Sequence, residues 1–333
     1  MKKVLIFGTV PPPIGGVTIH LERFLHFSQN HKEQIDVQIY DIKKQKMIQI
    51  EKKGKNSPTL LSSFLNADII HIHLSNNIKI PIALLARVFF KKVIYTHHNS
   101  RVKSMFWFKI INFLSNIIIL VNDKEIDTEQ LNKKKIRHIP AFIPPYKLEA
   151  LSKPLLEKID NYSFVISTNC SRSTIVNGKE LYGFDLVIEA YGELIQNKKL
   201  TNTLLILVDP STTMRKTVDE LLIAHPYLDE TNLIYIDKEL DFSSLIKKSH
   251  LTIRATRSDG DSISVRESLY FKTPIIASDV TYRPKGTILF KNDNAKDLEN
   301  KILDIYTNSY NLKPEVVEDF GQQVVSLYLS KEY

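Results

Sequence analysis

The densest concentration of polar side chains in this 333-residue sequence is Arg254-Ala255-Thr256-Arg257-Ser258-Asp259-Gly260-Asp261-Ser262-Ile263-Ser264-Val265-Arg266-Glu267-Ser268-Leu269. It follows a short apolar run that reads as a strand, and Asp261, Ser262 or Ser264 suits the cap of a helix continuing to Phe271. Free N–H groups at such a helix start carry partial positive charge and attract an anion. A diphosphate fits that chemistry, and as a leaving group it would be stabilised while negative charge develops on it. Asp259 stands in the loop and Glu267 about one turn into the helix. Ionised carboxylates only accept hydrogen bonds, so this pair suits the hydroxyls of a sugar and a ribose. The plainer alternative is a capped helix with ordinary surface charges, against which stands the crowding of two aspartates and three basic residues into one loop.

A second candidate closes the first strand: Gly8-Thr9-Val10-Pro11-Pro12-Pro13-Ile14-Gly15-Gly16-Val17-Thr18, followed by the helical spacing of Ile19 to Leu25. In an open α/β sheet this loop lies at the carboxyl edge, where ligands bind. Gly15 and Gly16 let backbone N–H groups approach a ligand at the start of the helix. The pattern is not GxGxxG, and no P-loop occurs, so a dinucleotide site is poorly supported. A tight strand-to-helix turn accounts for the same glycines. His71, His73, His97 and His98 alternate or cluster at strand ends; without a thiolate or carboxylate beside them they read as cleft-lining residues before zinc ligands. Cys170, the single cysteine, has no evident paired base and reads as a buried thiol.

The elements that must hold these residues alternate between apolar strand-like runs and helical spacing, the pattern of parallel α/β sheets. Strands are predicted at Lys3 to Gly8, Asp36 to Tyr40, Asp68 to Leu74, Lys92 to His97 and Asn116 to Val121. The prolines of Ile139-Pro140-Ala141-Phe142-Ile143-Pro144-Pro145 break the rhythm. It then resumes at Tyr162 to Thr168, Thr203 to Val208, Asn232 to Ile236, Leu251 to Ala255 and Pro274 to Ser278. The division predicted is 1–150, 151–312 and a terminal amphipathic helix within 313–333, with Pro314 in its first turn and apolar positions including Val316, Val317, Phe320, Val324, Val325 and Tyr328.

With 43% hydrophobic and 25% charged residues the chain is neither disordered nor fibrous. The apolar stretch after Met1 is too short for a signal-peptide core, and no run reaches the length of a transmembrane helix, so a reducing cytoplasmic location is expected. Residues 1–150 hold 23 Lys+Arg against 11 Asp+Glu, a net +12, whereas residues 151–333 hold 22 against 26, a net −4. The first half is therefore expected to meet something anionic. Nucleic acid is disfavoured by the lack of any recognisable binding module. The segment Arg101 to Leu114 places Phe106, Lys109, Ile110 and Phe113 on one helical face, extended by Trp107 and Leu114. Core packing explains those residues; so does an anionic membrane surface, which the basic half favours and to which Lys43, Lys44, Lys46 and Lys133 to Lys135 would add charge.

Asp259 to Glu267, followed by Pro274-Ile275-Ile276-Ala277-Ser278-Asp279, resembles the E-x₇-E region and next strand of family 4 glycosyltransferases, with Asp259 in place of the first glutamate. The proline-glycine loop resembles that family's first loop, Tyr95-Thr96-His97-His98-Asn99 its "T-x-H" strand end, and Asp185 to Tyr191 the helix after its "K-G" motif. These matches fall in family order from residue 8 to 279. The resemblance implies a GT-B fold, two Rossmann-like domains facing a central cleft, with the terminal helix crossing back to the first. It implies sugar transfer with retention of configuration from a nucleotide sugar, a UDP-sugar being favoured, with no metal or other cofactor.

By the same resemblance Glu267 binds the donor ribose, Asp259 the transferred sugar, and amides near Ser262 and Ile263 the diphosphate, helped by Arg172. Arg257, Gly260, Asp261 and Ser264 complete the donor loop. Gly15, Gly16 and Val17 line the phosphate and acceptor side in an acceptor-binding first domain, and His97 approaches the sugar. The family lysine before the glycine of "K-G" is Tyr182 here, with Lys179 the candidate replacement. The reading is a cytoplasmic enzyme, peripheral on the inner face of the membrane, extending a lipid-linked glycan in surface polysaccharide assembly. Its rivals are an inactive accessory subunit of the same fold and a nucleotide-sugar epimerase.

Overall fold

A computed structural model describes residues 1–50, 58–99, 102–122, 126, 128–129, 131–176, 178–308 and 320–330. Arg101 and the start of the predicted terminal helix, with Pro314, Val316 and Val317, lie outside these described residues. The chain divides into two compact units, 1–146 with 318–333, and 147–317.

The first unit is built on β1 (Lys2–Gly8), α1 (Gly16–Phe27), β2 (Ile35–Asp41), β3 (Lys46–Ile48), α2 (Leu60–Asn66), β4 (Ile69–Ile72), α3 (Lys79–Val88), β5 (Lys92–His97), α4 (Met105–Leu114), β6 (Ile117–Leu120) and β7 (Ile136–His138). Its sheet runs β3-β2-β1-β4-β5-β6-β7, parallel except for β3 against β2. The order reverses between β1 and β4, the switch point at which open α/β sheets bind ligands. The central strands β4, β5 and β6 are buried at every residue, because helices cover both faces, and apolar side chains predominate in them, with His71, Lys92, Thr96 and His97 as the polar exceptions.

The second unit holds α5 (Lys153–Asp160), β8 (Phe164–Asn169), a hairpin of β9 (Ile175–Val176) and β10 (Lys179–Glu180), α6 (Phe184–Gln196), β11 (Thr203–Val208), α7 (Arg215–Ala224), β12 (Leu233–Ile236), α8 (Phe242–Lys248), β13 (Leu251–Arg254), α9 (Ile263–Phe271), β14 (Ile275–Ser278), β15 (Ile288–Phe290) and α10 (Ala295–Asn308). All six strands of its sheet, β12-β11-β8-β13-β14-β15, are parallel. Here the order reverses between β8 and β13, so the loops after those two strands carry the switch point. Gly183 starts α6 at φ 71°, and a Cβ there would stand 2.2 Å from the Ala255 carbonyl oxygen. Only glycine fits both that backbone and that approach.

The remaining helix, α11 (Phe320–Leu329), returns to the first unit. Gly321 lets it close on Phe27, whose ring atoms would lie 2.8 to 3.0 Å from an added Cβ. Tyr328 hydroxyl meets His71 Nδ1 at 2.6 Å, and Lys92 Nζ donates to the carbonyls of Leu327 and Ser330 at 2.8 and 3.2 Å. A buried cation at the helix C-terminus complements the carbonyls left unpaired there.

Candidate active site

The loop between β13 and α9 is organised by Asp259. Its carboxylate accepts from Arg254 Nε at 3.1 Å and Nη2 at 3.3 Å, from Thr256 Oγ1 at 3.1 Å, from its neighbour Gly260 N at 3.1 Å, and from Arg283 Nη1 at 2.8 Å. Burial alone would raise this carboxyl, but Arg254 and Arg283 outweigh it and hold it far below the usual carboxylate range. Arg283 is itself only 2% exposed, and its other donors reach Ser278 O, Ser278 Oγ and Thr256 Oγ1. The sequence predicts that Asp259 reaches out to a sugar. The structure instead commits both its oxygens inside the loop, because two guanidinium groups arrive from the end of β13 and from beyond β14.

At α9 the predicted cap residue Ser262 has extended backbone, φ −76° and ψ 119°, but its side chain caps no amide of the helix. Its hydroxyl pairs with Ser264 Oγ at 3.1 Å, so the first-turn N–H groups of Ile263 and Ser264 have no side-chain cap. Asp261 is taken by Arg266 Nε at 2.6 Å. Glu267, 4% exposed, lies one turn into α9 and accepts from Ser243 Oγ of α8 at 2.7 Å. That bond fixes the carboxylate against the neighbouring helix.

Lys179 and Arg257, expected at the donor, are both paired within the second unit. Arg257 is 7% exposed and bridges Glu180 O at 2.5 Å, Asp185 at 2.9 and 2.7 Å, and Asp293 at 2.8 Å. Lys179 Nζ, on β10, pairs with the same Asp293. Both cations therefore tie the hairpin to α6 and to the turn before α10. Tyr182, at the lysine position, gives its hydroxyl to a bond with Ser171 Oγ, and its ring lies under the Arg254 guanidinium, 5.3 Å from centroid to Cζ. Arg172 is exposed on the loop after β8. Sequence reasoning missed Arg283 and Glu180. Glu180 is buried, its carboxyl raised by burial, with Oε2 accepting from Gly183 N at 2.8 Å. Neither stands in a motif; Arg283 shows only as a lone basic residue five positions after β14.

In the first unit, Gly15 caps α1 with φ −173° and ψ 164°, extended backbone open to any residue, and a Cβ there would meet nothing nearer than Thr18 Oγ1 at 3.9 Å. Internal sterics do not demand glycine at 15, which leaves room for the ligand approach predicted for Gly15, Gly16 and Val17. The preceding proline loop is braced by Asp41, which accepts from Val10 N at 3.0 Å, and by Lys44 Nζ, which donates to Val10 O and Pro11 O at 2.9 and 2.5 Å. His97, 6% exposed at the end of β5, meets Tyr95 hydroxyl at 3.1 Å and packs edge-on to Phe108.

Beside it buried His20, His71 and His73 form a cluster with half-buried His98. His20 Nδ1 lies 2.8 Å from Ala141 O, His73 Nδ1 2.8 Å from His98 Nε2, and His71 is held by Tyr328 and by Thr96 Oγ1 at 2.7 Å. Burial lowers all four, His20 to about 4, His71 to about 3, and His73 and His98 well below their ordinary value, so the rings are neutral.

No protein-family pattern and no curated protein matches the chain. Solved structures do. HepE of Anabaena in complex with UDP is 12% identical, with a TM-score of 0.66 over 98% of this chain and 95% of that one. A glycosyltransferase from Rickettsia africae is 16% identical, TM-score 0.67, over 98% and 92%. A Listeria monocytogenes protein described as a putative UDP-N-acetylglucosamine 2-epimerase is 14% identical, TM-score 0.63, over 100% and 98%. At such identities the likeness speaks for the fold: these two α/β units are those of the GT-B architecture, shared by glycosyltransferases and epimerases that use nucleotide sugars.

Proposed function

We propose that the protein is a retaining glycosyltransferase that moves a sugar from a UDP-sugar to a lipid-linked glycan in surface polysaccharide assembly. The observation that carries this is the uncapped first turn of α9 with Glu267 fixed one turn below it. The amides of Ile263 and Ser264 would hold the donor's diphosphate, with the Arg172 side chain supplying charge from the loop after β8. Glu267, oriented by Ser243, would accept a hydrogen bond from a ribose hydroxyl. Asp259 would act through the loop it braces, setting the path of Gly260, Asp261 and Ser262 into the helix. Gly15, Gly16, Val17 and His97 take the acceptor and sugar side on the resemblance alone.

In the reaction the bond between the anomeric carbon and the phosphate oxygen breaks, and the acceptor hydroxyl oxygen bonds to the same face of that carbon. The acceptor's proton passes to the departing phosphate, so no separate base is needed, and no metal or other cofactor takes part. Work on a lipid-linked acceptor places the enzyme at the inner face of the cytoplasmic membrane. Incubation with UDP-sugars and an acceptor lipid should release UDP only when the acceptor is present.

Two other readings have an observation behind them. The likeness to the Listeria protein favours an epimerase, which would interconvert the sugar with no acceptor. Tyr182 at the lysine position, with Lys179 held by Asp293, favours an accessory subunit that binds but does not turn over. Such a subunit would release no UDP under any condition, and sugar analysis of the recovered donor would separate the epimerase.

A further inference from the structure

The first unit turns an apolar helical layer outward. The crossovers leading to β4, β5 and β6 all run toward the β7 edge of the sheet, so their right-handed turn puts α2, α3 and α4 on one face. Beneath them lies a shared core that includes Phe64, Ala83, Ala86, Phe108 and Ile111. The helix α3 reaches that core through Ala83 and Ala86, both 0% exposed, while its opposite side presents Leu84, Leu85 and Val88 at 53, 48 and 63% exposure. A helix of a water-soluble surface carries charge on that side. Here the apolar surface runs on through Phe90, 97% exposed, and onto α4 at Phe106 and Phe113, 65 and 80% exposed. Phe64 and Phe89, edge to face at 6.0 Å, join α2 to the end of α3, and α3 packs beside α4, so the patch is continuous.

Cations gather on the same layer. Residues 58–122 contain seven Lys or Arg and one acidic residue, Asp68, whose carboxylate accepts from Lys3 N at 2.8 Å; Lys79 and Lys92 are buried and Arg101 is outside the described residues, which leaves Arg87, Lys91, Lys103 and Lys109 to the surface. Lys91 Nζ lies on Leu65 O at 2.6 Å, Arg87 Nη1 on Asn116 Oδ1 at 3.3 Å, and Lys135 Nζ across the α4 terminus at Asn112 O, Phe113 O and Ser115 O, 3.1, 3.2 and 2.8 Å. Lys109 is exposed midway along α4.

We propose that the outer face of α2, α3 and α4 docks on an anionic lipid bilayer, with the aliphatic and aromatic side chains entering the headgroup boundary and Arg87, Lys91 and Lys109 facing lipid phosphates. Charge selects this occupant. A second copy would set the exposed cations Arg87, Lys103 and Lys109 against their own kind, whereas lipid phosphates supply countercharge beside an apolar interior. The inference deepens the lipid-linked acceptor reading yet is tested apart from it, since vesicles need contain no acceptor.

The test is sedimentation of the full chain with vesicles of phosphatidylglycerol and phosphatidylcholine in about equal parts, against phosphatidylcholine alone. The protein should pellet with the anionic vesicles and be partly released by salt, and emission from Trp107, the single tryptophan, 37% exposed on α4, should shift to the blue. Leu84→Glu with Val88→Glu should weaken binding by about tenfold or more with the thermal midpoint unchanged. Lys91→Glu with Lys109→Glu should remove the preference for anionic lipid. The proposal is overturned if the wild type stays in the supernatant with both vesicle types, if the Leu84 and Val88 variant pellets as well as the wild type, or if sedimentation equilibrium shows a dimer that this variant splits. Absence of transferase activity alongside vesicle binding would count against the enzymatic reading and leave the docking surface standing.

Discussion

Arg283 Nη1 stands 2.8 Å from Asp259 Oδ2, a contact between residues 24 apart in sequence that turns a presumptive ligand group into the brace of its own loop. Replacing Asp259 by Asn leaves two buried guanidinium groups facing a neutral side chain and should cost about 3 kcal/mol of stability in urea unfolding. The folded-state carboxyl is depressed, so its contribution is present above the unfolded value near pH 4 and disappears as pH falls through the lower folded value. Wild type should therefore lose stability relative to Asp259→Asn below about pH 4. Unchanged stability in the variant with lost transfer would return Asp259 to direct sugar contact.

Glu267→Gln keeps the shape of the side chain and one acceptor oxygen toward Ser243 but loses the charge offered to a ribose hydroxyl. Transfer should fall about 100-fold or more, within the range seen when a single charged contact to the reacting ligand is removed, while the thermal midpoint moves little. Donor Kd measured by calorimetry should rise in parallel. A variant with wild-type donor affinity and rate would remove Glu267 from the site.

The neutral histidines make the first unit acid-sensitive. Their folded pKa values are lowered, so the unfolded chain takes up protons first, and stability is lost as pH drops below the unfolded value near 6.5. For His20 alone the loss is about 1.4 kcal/mol per pH unit and continues to its folded value of about 4. Urea midpoints at pH 7 and 5, with His20→Asn for comparison, measure this; parallel pH profiles for the two proteins would contradict a neutral buried His20.

Gly183→Ala forces a Cβ against the Ala255 carbonyl from a left-handed backbone. The cost should exceed about 1 kcal/mol, seen as a lower denaturant midpoint, and the shift of the β13 end should weaken donor binding as well. A substitution without effect on either would show that the α6 start is not held by this approach.

Much of this architecture is readable from local pattern. All ten predicted strands are present within two residues at each end, because each is a short run dominated by β-branched, aliphatic and aromatic residues. The short edge strands Lys46–Ile48, Ile136–His138 and Ile288–Phe290 and the hairpin after β8 escape notice, having three residues or fewer and so no period to read. The helix start at Ser262 was legible because capping chemistry is local; the fate of Asp259 was not, since Arg283 arrives from another loop. The pairing of Lys179 was not legible for the same reason, its partner Asp293 lying 114 residues on. In α4 the pattern alone could not choose between core and surface, and the answer is divided: Phe108 and Ile111 face the core, Phe106 and Phe113 do not.

Because Phe320–Leu329 packs into the unit formed by residues 1–146, that unit is begun before 147–317 is made yet completed after it. Until translation has passed through the whole of 147–317, His71 lacks its Tyr328 partner, Lys92 has no carbonyls to cover, and Phe27 is left without the helix that Gly321 brings against it. Order of synthesis and order of completion thus run in opposite directions, and a nascent chain holds its histidine-lined half ajar while the carboxyl-terminal half matures.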